Sequence, residues 1–304
     1  MIRKLRFLLI LSCLAVFVQA NAQFDDPKTL EIGPHAGVSY YMGDLNPTLP
    51  FAMPQLEYGG VMRFNYNNRW TFRADYSYLT VKGDDAIIKW RPERGLNFTS
   101  KIHDLSFVAE FNFLEYYTGN PKRNVSPYIF GGISVFYYTA YATVSDTLID
   151  LSDHLTEPAP AEPKWYDKAF GKTSPIGISI PFGMGVKLAL SKHMAATVEW
   201  RMQKTFTDYL DDVATVYPAD DRHATVIIDG MYYDLTDPTA TPSGIPVNSN
   251  GQPTTTPEGN YTKDQQRGNS AFNDWFGMAR VSLTWKFNLP DGRGCNLSKF
   301  ELWN

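Results

Sequence analysis

Cysteine and long apolar runs are both scarce in this chain of 304 residues. It has two cysteines, Cys13 and Cys295, so the sequence provides neither a framework of several disulfides nor a CxxC metal site. No apolar stretch after residue 22 reaches the ~18 residues of a membrane-spanning helix. Small disulfide-stapled folds and helical membrane proteins are therefore not expected.

The first 22 residues have the pattern of a secretory signal peptide. Three basic residues within positions 3–6 precede an apolar run, and Ala20-Asn21-Ala22 forms an A-x-A cleavage site. Lipidation at Cys13 is the alternative, although Leu11-Ser12 is a poor lead-in for it. Without this segment the chain has 25 basic and 32 acidic residues, a net charge of −7. We therefore expect no nucleic-acid partner.

Residues 175–206 contain two long alternating segments joined by Ser191-Lys192-His193. In PIGISIPFGMGVKLAL one face is apolar and the other is small or polar, and in MAATVEWRMQKTF the charges fall on one side only. Both segments exceed the roughly 9–11 residues that a strand needs to cross a bilayer. This alternation is typical of a transmembrane barrel.

Eight such segments are predicted, at 30–42, 55–66, 69–81, 102–114, 126–140, 175–190, 194–206 and 274–287. Long connections at 43–54, 82–101, 141–174 and 207–273 alternate with shorter ones, as expected for surface loops and periplasmic turns. The predicted fold is all-β, an eight-stranded antiparallel transmembrane β-barrel spanning residues 23–287. Residues 288–304 then form a periplasmic C-terminal tail.

The alternation also predicts which side chains face the barrel interior. Charges of both signs share the face opposite the aromatic and aliphatic residues, and inside so narrow a barrel they must pair. This predicted interior charge network comprises Glu31, Arg63, Arg73, Asp75, Glu110, Lys187, Glu199, Arg201 and Arg280. We therefore expect a plugged barrel and no porin. Aromatic pairs near strand ends, such as Tyr40-Tyr41, are assigned to interfacial girdles.

The last long loop, 207–273, is rich in Pro, Thr, Asn, Gly and Asp, which predicts a solvated loop that cannot fold alone. A recruitment surface that orders on binding is the alternative. The loop begins with three carboxylates, Asp208, Asp211 and Asp212. They are candidate calcium ligands, but the spacing of a calcium loop is absent, so we predict aspartates that pack the loop and no metal site.

No enzyme and no cofactor are expected from the sequence. His35, His103, His154, His193 and His223 lie in no Ser-x-His or Gly-x-Ser-x-Gly arrangement. A triad assembled across strands, as in a lipid-modifying barrel, stays open as an alternative. In the tail, Cys295, Phe300, Leu302 and Trp303 suit docking onto a periplasmic partner, with the thiol available for an intermolecular disulfide. The alternative for the tail is a frayed end with an incidental cysteine.

Several long phrases of the sequence resemble the PorG family, outer-membrane barrels of the type IX secretion system of Bacteroidetes-type bacteria. They are EIGPHAGVSYYMGDLNP, RGLNFTSKIHDLSFVAEFNFLEY, SPYIFGGISVFYY, SIPFGMGVKLAL, TFTDYLDDVATVYP and RGNSAFNDWFGMARVSLTWKF, which occur in order between residues 31 and 287, so that the resemblance extends over nearly all of the chain after residue 22. Asp44 and the carboxylates at 208–212 fall within these phrases, although the resemblance assigns them no role.

The resemblance implies a non-catalytic component that anchors a periplasmic ring, formed by a PorK-type lipoprotein and a PorN-type protein, to the outer membrane. It implies that the tail contacts the ring, with Cys295 at the contact. Two other functions stay open on the sequence: a stand-alone structural or adhesive barrel that acts through loops 141–174 and 207–273, and a lipid-modifying barrel enzyme.

Overall fold

The structure is a computed structural model that describes residues 28–154, 156–158, 175–219 and 223–289. The predicted signal peptide at 1–22, Cys13 and the predicted contact residues of the tail (Cys295, Phe300, Leu302 and Trp303) lie outside the described residues.

Twelve strands form in the described part of the chain, and eight of them build a barrel. In chain order the strands are β1 (Thr29–Met42), β2 (Gln55–Asn65), β3 (Trp70–Asp84), β4 (Asn97–Asn112), β5 (Val125–Val144), β6 (Thr147–Asp150), β7 (Ile176–Ala189), β8 (Met194–Thr205), β9 (Thr225–Ile228), β10 (Met231–Asp234), β11 (Ile245–Pro246) and β12 (Trp275–Asn288). Helical structure in the described residues consists of α1 (Asp85–Ile88) and the 3-10 turns Pro92–Arg94 and Pro238–Ala240. No described helix is long and apolar enough to cross a membrane.

The barrel is closed and entirely antiparallel. Each of β1, β2, β3, β4, β5, β7, β8 and β12 pairs with the next, and β12 pairs with β1 through register partners such as Val38 and Ala279. The predicted eight-stranded antiparallel barrel is thus confirmed. Closure leaves no unpaired sheet edge within the wall, which a bilayer requires because it offers backbone groups no water.

Long and short connections emerge at opposite ends of the barrel. The turns at 66–69, 113–124 and 190–193 lie at the end where β1 starts and β12 finishes. At the other end are loop 1 (43–54), loop 2 (85–96) and the described parts of loop 3 (145–175) and loop 4 (206–274). Following the usual orientation of such barrels, we call the loop end the outer mouth.

Two hairpins are longer than predicted. β3 runs to Asp84 and β4 begins at Asn97, where the sequence suggested an end at 81 and a start at 102. The pairs Lys82–Thr99 and Asp84–Asn97 continue the ladder beyond the apolar belt, because pairing satisfies backbone groups in water as well as in lipid. β5 likewise extends to Val144, where β6 folds back on it.

Alternation along the strands produces an apolar exterior. Met194, Ala196, Val198, Trp200 and Met202 of β8 point outward, and Thr197, Glu199, Arg201 and Gln203 point inward and are buried. The same alternation exposes large apolar side chains on the other barrel strands, among them Phe72, Phe107, Ile133, Met184 and Val281. A continuous outward belt of this kind is the surface that a barrel presents to lipid.

Loop 4 differs from the predicted solvated loop. β9, β10 and β11 form a small sheet within it, and Leu210, Val213 and Tyr217 are almost completely buried. The segment lacks enough apolar residues to fold alone, but the outer mouth gives these side chains a surface on which to pack.

We predict that Val198→Arg destabilises the barrel in a bilayer by about 2–4 kcal/mol, the cost of a cation on the lipid face near the midplane. Val198 is 61% exposed on the exterior of β8. The measurement is reversible denaturant unfolding in lipid vesicles. Ile227→Arg, at a residue 50% exposed on β9 and away from the barrel wall, is the matched control and should change stability little. Equal effects of the two substitutions would contradict a lipid-facing belt.

Candidate functional site

The barrel interior is filled by side chains in three levels from the periplasmic end to the outer mouth. Around Glu31 the contacts are mainly hydrogen bonds: its carboxylate accepts from Asn65, Thr118 and Thr284, and Lys286 donates to the Thr118 carbonyl at 2.6 Å. A network of buried charges occupies the middle level. An apolar cluster lies above it.

The centre of the charge network is a group of three arginines around two carboxylates. Arg201 lies 2.7 Å from Asp75, and Arg280 lies 2.9 Å from Glu199. Arg73 bridges the two acids, 3.1 Å from Asp75 and in contact with Glu199. The carboxylates come from β3 and β8, so these contacts connect opposite sides of the wall.

A second group of charges centres on Glu110 of β4. Lys187 lies 2.5 Å from it, Arg73 2.6 Å and Arg63 3.3 Å. The Lys187 ammonium also lies 4.9 Å from the centre of the Tyr128 ring, a cation–π distance. The shared Arg73 joins this group to the central one, so the charges form one continuous network.

The buried network is balanced in charge. Its cations are Arg63, Arg73, Lys187, Arg201 and Arg280, and its anions are Glu57, Asp75, Asp104, Glu110 and Glu199. His35 adds a contact of 2.9 Å to Glu57. Removing charges from water costs several kcal/mol per ion, a cost that only paired and hydrogen-bonded partners offset. These side chains meet across the lumen and form a buried polar core.

Apolar side chains fill the level above the charges. The cluster comprises Tyr41, Leu45, Leu79, Val81, Leu96, Phe98, Ile102, Phe136, Tyr138, Leu210, Val213, Phe276 and Met278. Leu45 comes from loop 1, Leu96 from loop 2, and Leu210 and Val213 from loop 4. Three of the outer loops therefore share a core with the barrel wall.

Two buried arginines hold these loops together at the outer mouth. Arg94 of loop 2 pairs with Asp85 at 2.7 Å and donates to the carbonyls of Asp44 and Arg267. Arg267 of loop 4 pairs with Glu157 at 2.8 Å and donates to the Asp212 carbonyl at 2.6 Å. Because each guanidinium joins several loops, the loops form one connected unit across the mouth. We call this unit the mouth assembly.

Beneath this assembly, Tyr41 lies between two buried carboxylates. Its hydroxyl contacts Asp211 Oδ2 and lies 2.7 Å from Asp274 Oδ1. The backbone amide of Leu210 donates to Asp274, and that of Val213 donates to Asp211. One hydroxyl proton cannot serve two carboxylates at once, so a further proton shared with the pair completes the hydrogen bonds.

Burial is the main cause of raised pKa values in these acids. Burial, with a smaller contribution from Asp44, raises the pKa of Asp274 to about 8. Burial and the nearby carboxylates of Asp274 and Asp44 raise the pKa of Asp211 well above its ordinary range. Burial also raises the pKa of Asp44 to about 6, an effect that the hydrogen bond from the Asn269 amide opposes. Asp44, Asp211 and Asp274 form a mouth cluster of acids. Two of them, Asp44 and Asp274, therefore change charge between about pH 6 and 8.

The predicted loop carboxylates occupy packing positions. Asp208, Asp211 and Asp212 are buried in the first turns of loop 4, and Thr156 donates to Asp212 at 2.5 Å. Asp44 is partly buried and accepts from the Asn269 amide at 2.6 Å. Within the described ranges, no group of His, Cys, Asp or Glu is arranged to hold a metal ion.

The predicted interior residues are all found in the lumen, and the described histidines are spread over the molecule. His35 contacts Glu57 inside the barrel, and His103 lies on the exterior, 2.8 Å from the Tyr76 hydroxyl. His223 lies 2.6 Å from Asp234 in loop 4. His193 is exposed in the β7–β8 turn, and His154 is partly buried in loop 3.

Sequence reasoning did not identify Tyr41, Asp274, Arg94 or Arg267 as parts of one assembly. The girdle prediction for Tyr41 was wrong, because its parity turns it into the lumen, where it is 1% exposed. Tyr40 points outward, yet it is also buried, under the Phe51 ring of loop 1 at 4.1 Å. The alternation along β1 was the signal that separates the two tyrosines.

Comparison with known proteins gives one sequence family and a set of remote structural likenesses. The sequence profile described as "Domain of unknown function (DUF6089)" matches residues 5–156, half of the chain. No curated protein matches.

Three of the similar solved structures are bacterial barrels. The outer membrane protein OprG from Pseudomonas aeruginosa is 10% identical, with a TM-score of 0.38, over 86% of this chain and 97% of that one. Neisserial surface protein A is 9% identical, with a TM-score of 0.36, over 86% and 97% of the two chains. The N-terminal β-barrel domain of Pseudomonas aeruginosa OprF is 12% identical, with a TM-score of 0.33, over 85% and 97%. Because these likenesses are remote, the fold assignment rests on the strand pairing described above.

We predict that Asp75→Asn destabilises the barrel by about 3–5 kcal/mol, since it leaves buried guanidinium groups without their counter-charge. Three arginines contact Asp75. Denaturant unfolding in vesicles measures the change. Glu258→Gln removes one negative charge from an exposed position of loop 4 and should have almost no effect. A loss below 1 kcal/mol for Asp75→Asn would contradict the dependence on charge pairing.

We predict that the mouth assembly loosens as pH rises from 6 to 9. The pKa values of Asp44 and Asp274 in the folded protein lie above the ordinary value of 3.8. The contribution of these two acids to stability is therefore complete below pH 3.8. It is lost as pH rises through about 6 and about 8, because deprotonation accumulates buried negative charge. Hydrogen exchange at the Leu210 and Val213 amides, corrected for intrinsic rates, should therefore accelerate.

Asp274→Asn is the control for this pH dependence, since it keeps the shape of the side chain but cannot ionise. Most of the acceleration should disappear in this variant. Equal protection of the two amides at pH 6 and pH 9 in the unmodified protein would contradict the prediction.

Proposed function

The chain belongs to the DUF6089 family, whose description assigns no function, and from the architecture of its barrel we propose that it is a non-catalytic anchoring protein of the bacterial outer membrane. The observation that carries this proposal is the charge-balanced network that fills the lumen. A barrel filled in this way offers surfaces rather than a passage. Its exterior belt suits insertion in a bilayer, and the outer membrane is the usual location of such barrels.

The partner that we propose is a periplasmic protein ring of the type IX secretion system. The sequence resemblance to the PorG family supports this proposal and names the ring components, a PorK-type lipoprotein and a PorN-type protein. The filled lumen is compatible with an anchor, since an anchor must resist force and need not conduct. Contact through the tail at 288–304, including a disulfide at Cys295, remains a prediction from the sequence.

A stand-alone structural or adhesive barrel is the second candidate, favoured by the mouth assembly. Arg94 and Arg267 hold loops 1, 2 and 4 in a fixed arrangement, and a fixed loop surface suits recognition of an external partner. This candidate requires no periplasmic partner. The two functions therefore differ in which end of the barrel acts.

We predict that affinity purification of the tagged protein from outer membranes, in mild detergent without reductant, recovers a periplasmic lipoprotein. Cys295→Ser should remove a reductant-sensitive band of higher mass, because an intermolecular disulfide needs this thiol. A second variant that ends at residue 289 should recover less of the lipoprotein than the intact chain. Mass spectrometry of the recovered proteins is the measurement.

Val198→Thr, on the exterior of β8, is the matched control and should recover the lipoprotein as the unmodified protein does. If the barrel is recovered alone in every sample, the anchoring function is wrong and the stand-alone barrel becomes the better account. If the lipoprotein is recovered equally from the intact and shortened chains, the contact lies on the periplasmic turns of the barrel and not on the tail.

A further inference from the structure

A cavity of about 700 Å³ opens on the outside of the barrel at its outer rim. Its floor consists of Met42, Met202 and Trp275, at the mouth ends of β1, β8 and β12. All three have the outward parity of the lipid-facing belt, as Trp200 and Val281 do. The floor of this rim cavity is therefore continuous with the surface that contacts lipid.

Aromatic rings from two loops form the walls of the rim cavity. Trp90 of loop 2 is 55% exposed and Phe272 of loop 4 is 72% exposed. Two large rings that face solvent beside one concave site are unusual on a protein surface, because burying each ring under another molecule would lower the free energy. Pro47 of loop 1 completes the apolar lining.

The upper part of the cavity contains hydrogen-bonding groups of both kinds. Asp44 uses Oδ2 to accept from the Asn269 amide, while Oδ1 has no donor among the described residues. Arg91 reaches the same lining with a guanidinium that contacts the Gln266 carbonyl at 3.4 Å. The amide side chains of Gln266 and Asn269 add further donors and acceptors.

We propose that the rim cavity binds a glycolipid of the outer leaflet, with an acyl chain on the Met42–Met202–Trp275 floor and a sugar ring between Trp90 and Phe272. Continuity of the floor with the lipid-facing belt favours a lipid over a soluble ligand. The upper groups favour a sugar headgroup over a simple phosphate. A hydroxyl both donates and accepts, which matches a lining of carboxylate, amide and guanidinium, whereas a phosphate group only accepts and would leave Oδ1 of Asp44 without a donor.

The shape of the cavity depends on where the three loops are held. Arg94, which also lines the cavity, donates to the Asp44 carbonyl and to the Arg267 carbonyl. A Cβ at Gly268 would lie 2.6 Å from Asp44 Oδ2, so glycine at this position allows the carboxylate to reach the Asn269 amide. The site is thus pre-formed by the mouth assembly, which lowers the ordering cost of binding.

The test uses the purified full chain in detergent micelles and three probes. The probes are a lipopolysaccharide with a short saccharide core, phosphatidylglycerol as an anionic lipid without sugar, and the oligosaccharide released from that lipopolysaccharide. Native mass spectrometry and tryptophan fluorescence measure binding. We expect the lipopolysaccharide to bind and the other two probes to bind at least about tenfold more weakly, because each engages only part of the cavity.

Trp90→Ala and Phe272→Ala should each weaken binding of the lipopolysaccharide by about tenfold, the effect of losing one ring contact of about 1.4 kcal/mol. Both rings are exposed, so neither substitution removes packing from the core. Trp285→Ala, at a residue 43% exposed at the opposite end of β12, is the matched control and should bind as the unmodified protein does. Heat-dependent gel mobility confirms that each variant is folded.

Three outcomes would overturn the proposal. Equal binding of phosphatidylglycerol would exclude recognition of a sugar, and equal binding of the free oligosaccharide would exclude the lipid component. Unchanged binding in both Trp90→Ala and Phe272→Ala would place the glycolipid elsewhere on the barrel. The result does not depend on whether a periplasmic ring is recovered with the protein.

Discussion

Pairing of buried charges is the constraint on which this structure depends. An eight-stranded barrel leaves a lumen only wide enough for side chains, so every polar group that faces inward must find its partner there. Arg73 meets this requirement by contacting Asp75, Glu110 and Glu199, which lie on three different strands. The same contacts fix the strands against one another from within. The lumen is thus the core of the protein, filled by paired side chains.

The outer mouth follows a different principle, because there the acids outnumber their local cations. Tyr41, Asp211 and Asp274 share hydrogen bonds that need an additional proton, whereas Arg94 and Arg267 are engaged by Asp85 and Glu157. Burial is what raises the pKa of Asp274 to about 8. Acids of the mouth are therefore expected to change charge between about pH 6 and 8, while the balanced network below them is held by ion pairs.

Because side chains fill the interior, we expect the function to depend on the outer surfaces of the barrel. Three surfaces are available: the periplasmic end, the loop surface above the mouth, and the exterior wall. The anchoring proposal uses the first, and the adhesive alternative uses the second. The rim cavity lies where the loop surface meets the wall, and Trp90, Phe272, Met202 and Trp275 all line it. The adhesive alternative and the proposed glycolipid site therefore depend on the same assembly of loops.

The sequence by itself determined the strands and their inward and outward faces, since the alternation of Glu199 and Arg201 with Val198 and Trp200 is a local property of an extended chain. It also determined that the lumen is charged. Only the tertiary structure decided which charges meet, that Tyr41 lies between Asp211 and Asp274, and that loop 4 packs on the mouth. The two Tyr41 contacts join residues 170 and 233 positions apart. Their partners depend on barrel closure and strand register, which no local pattern contains.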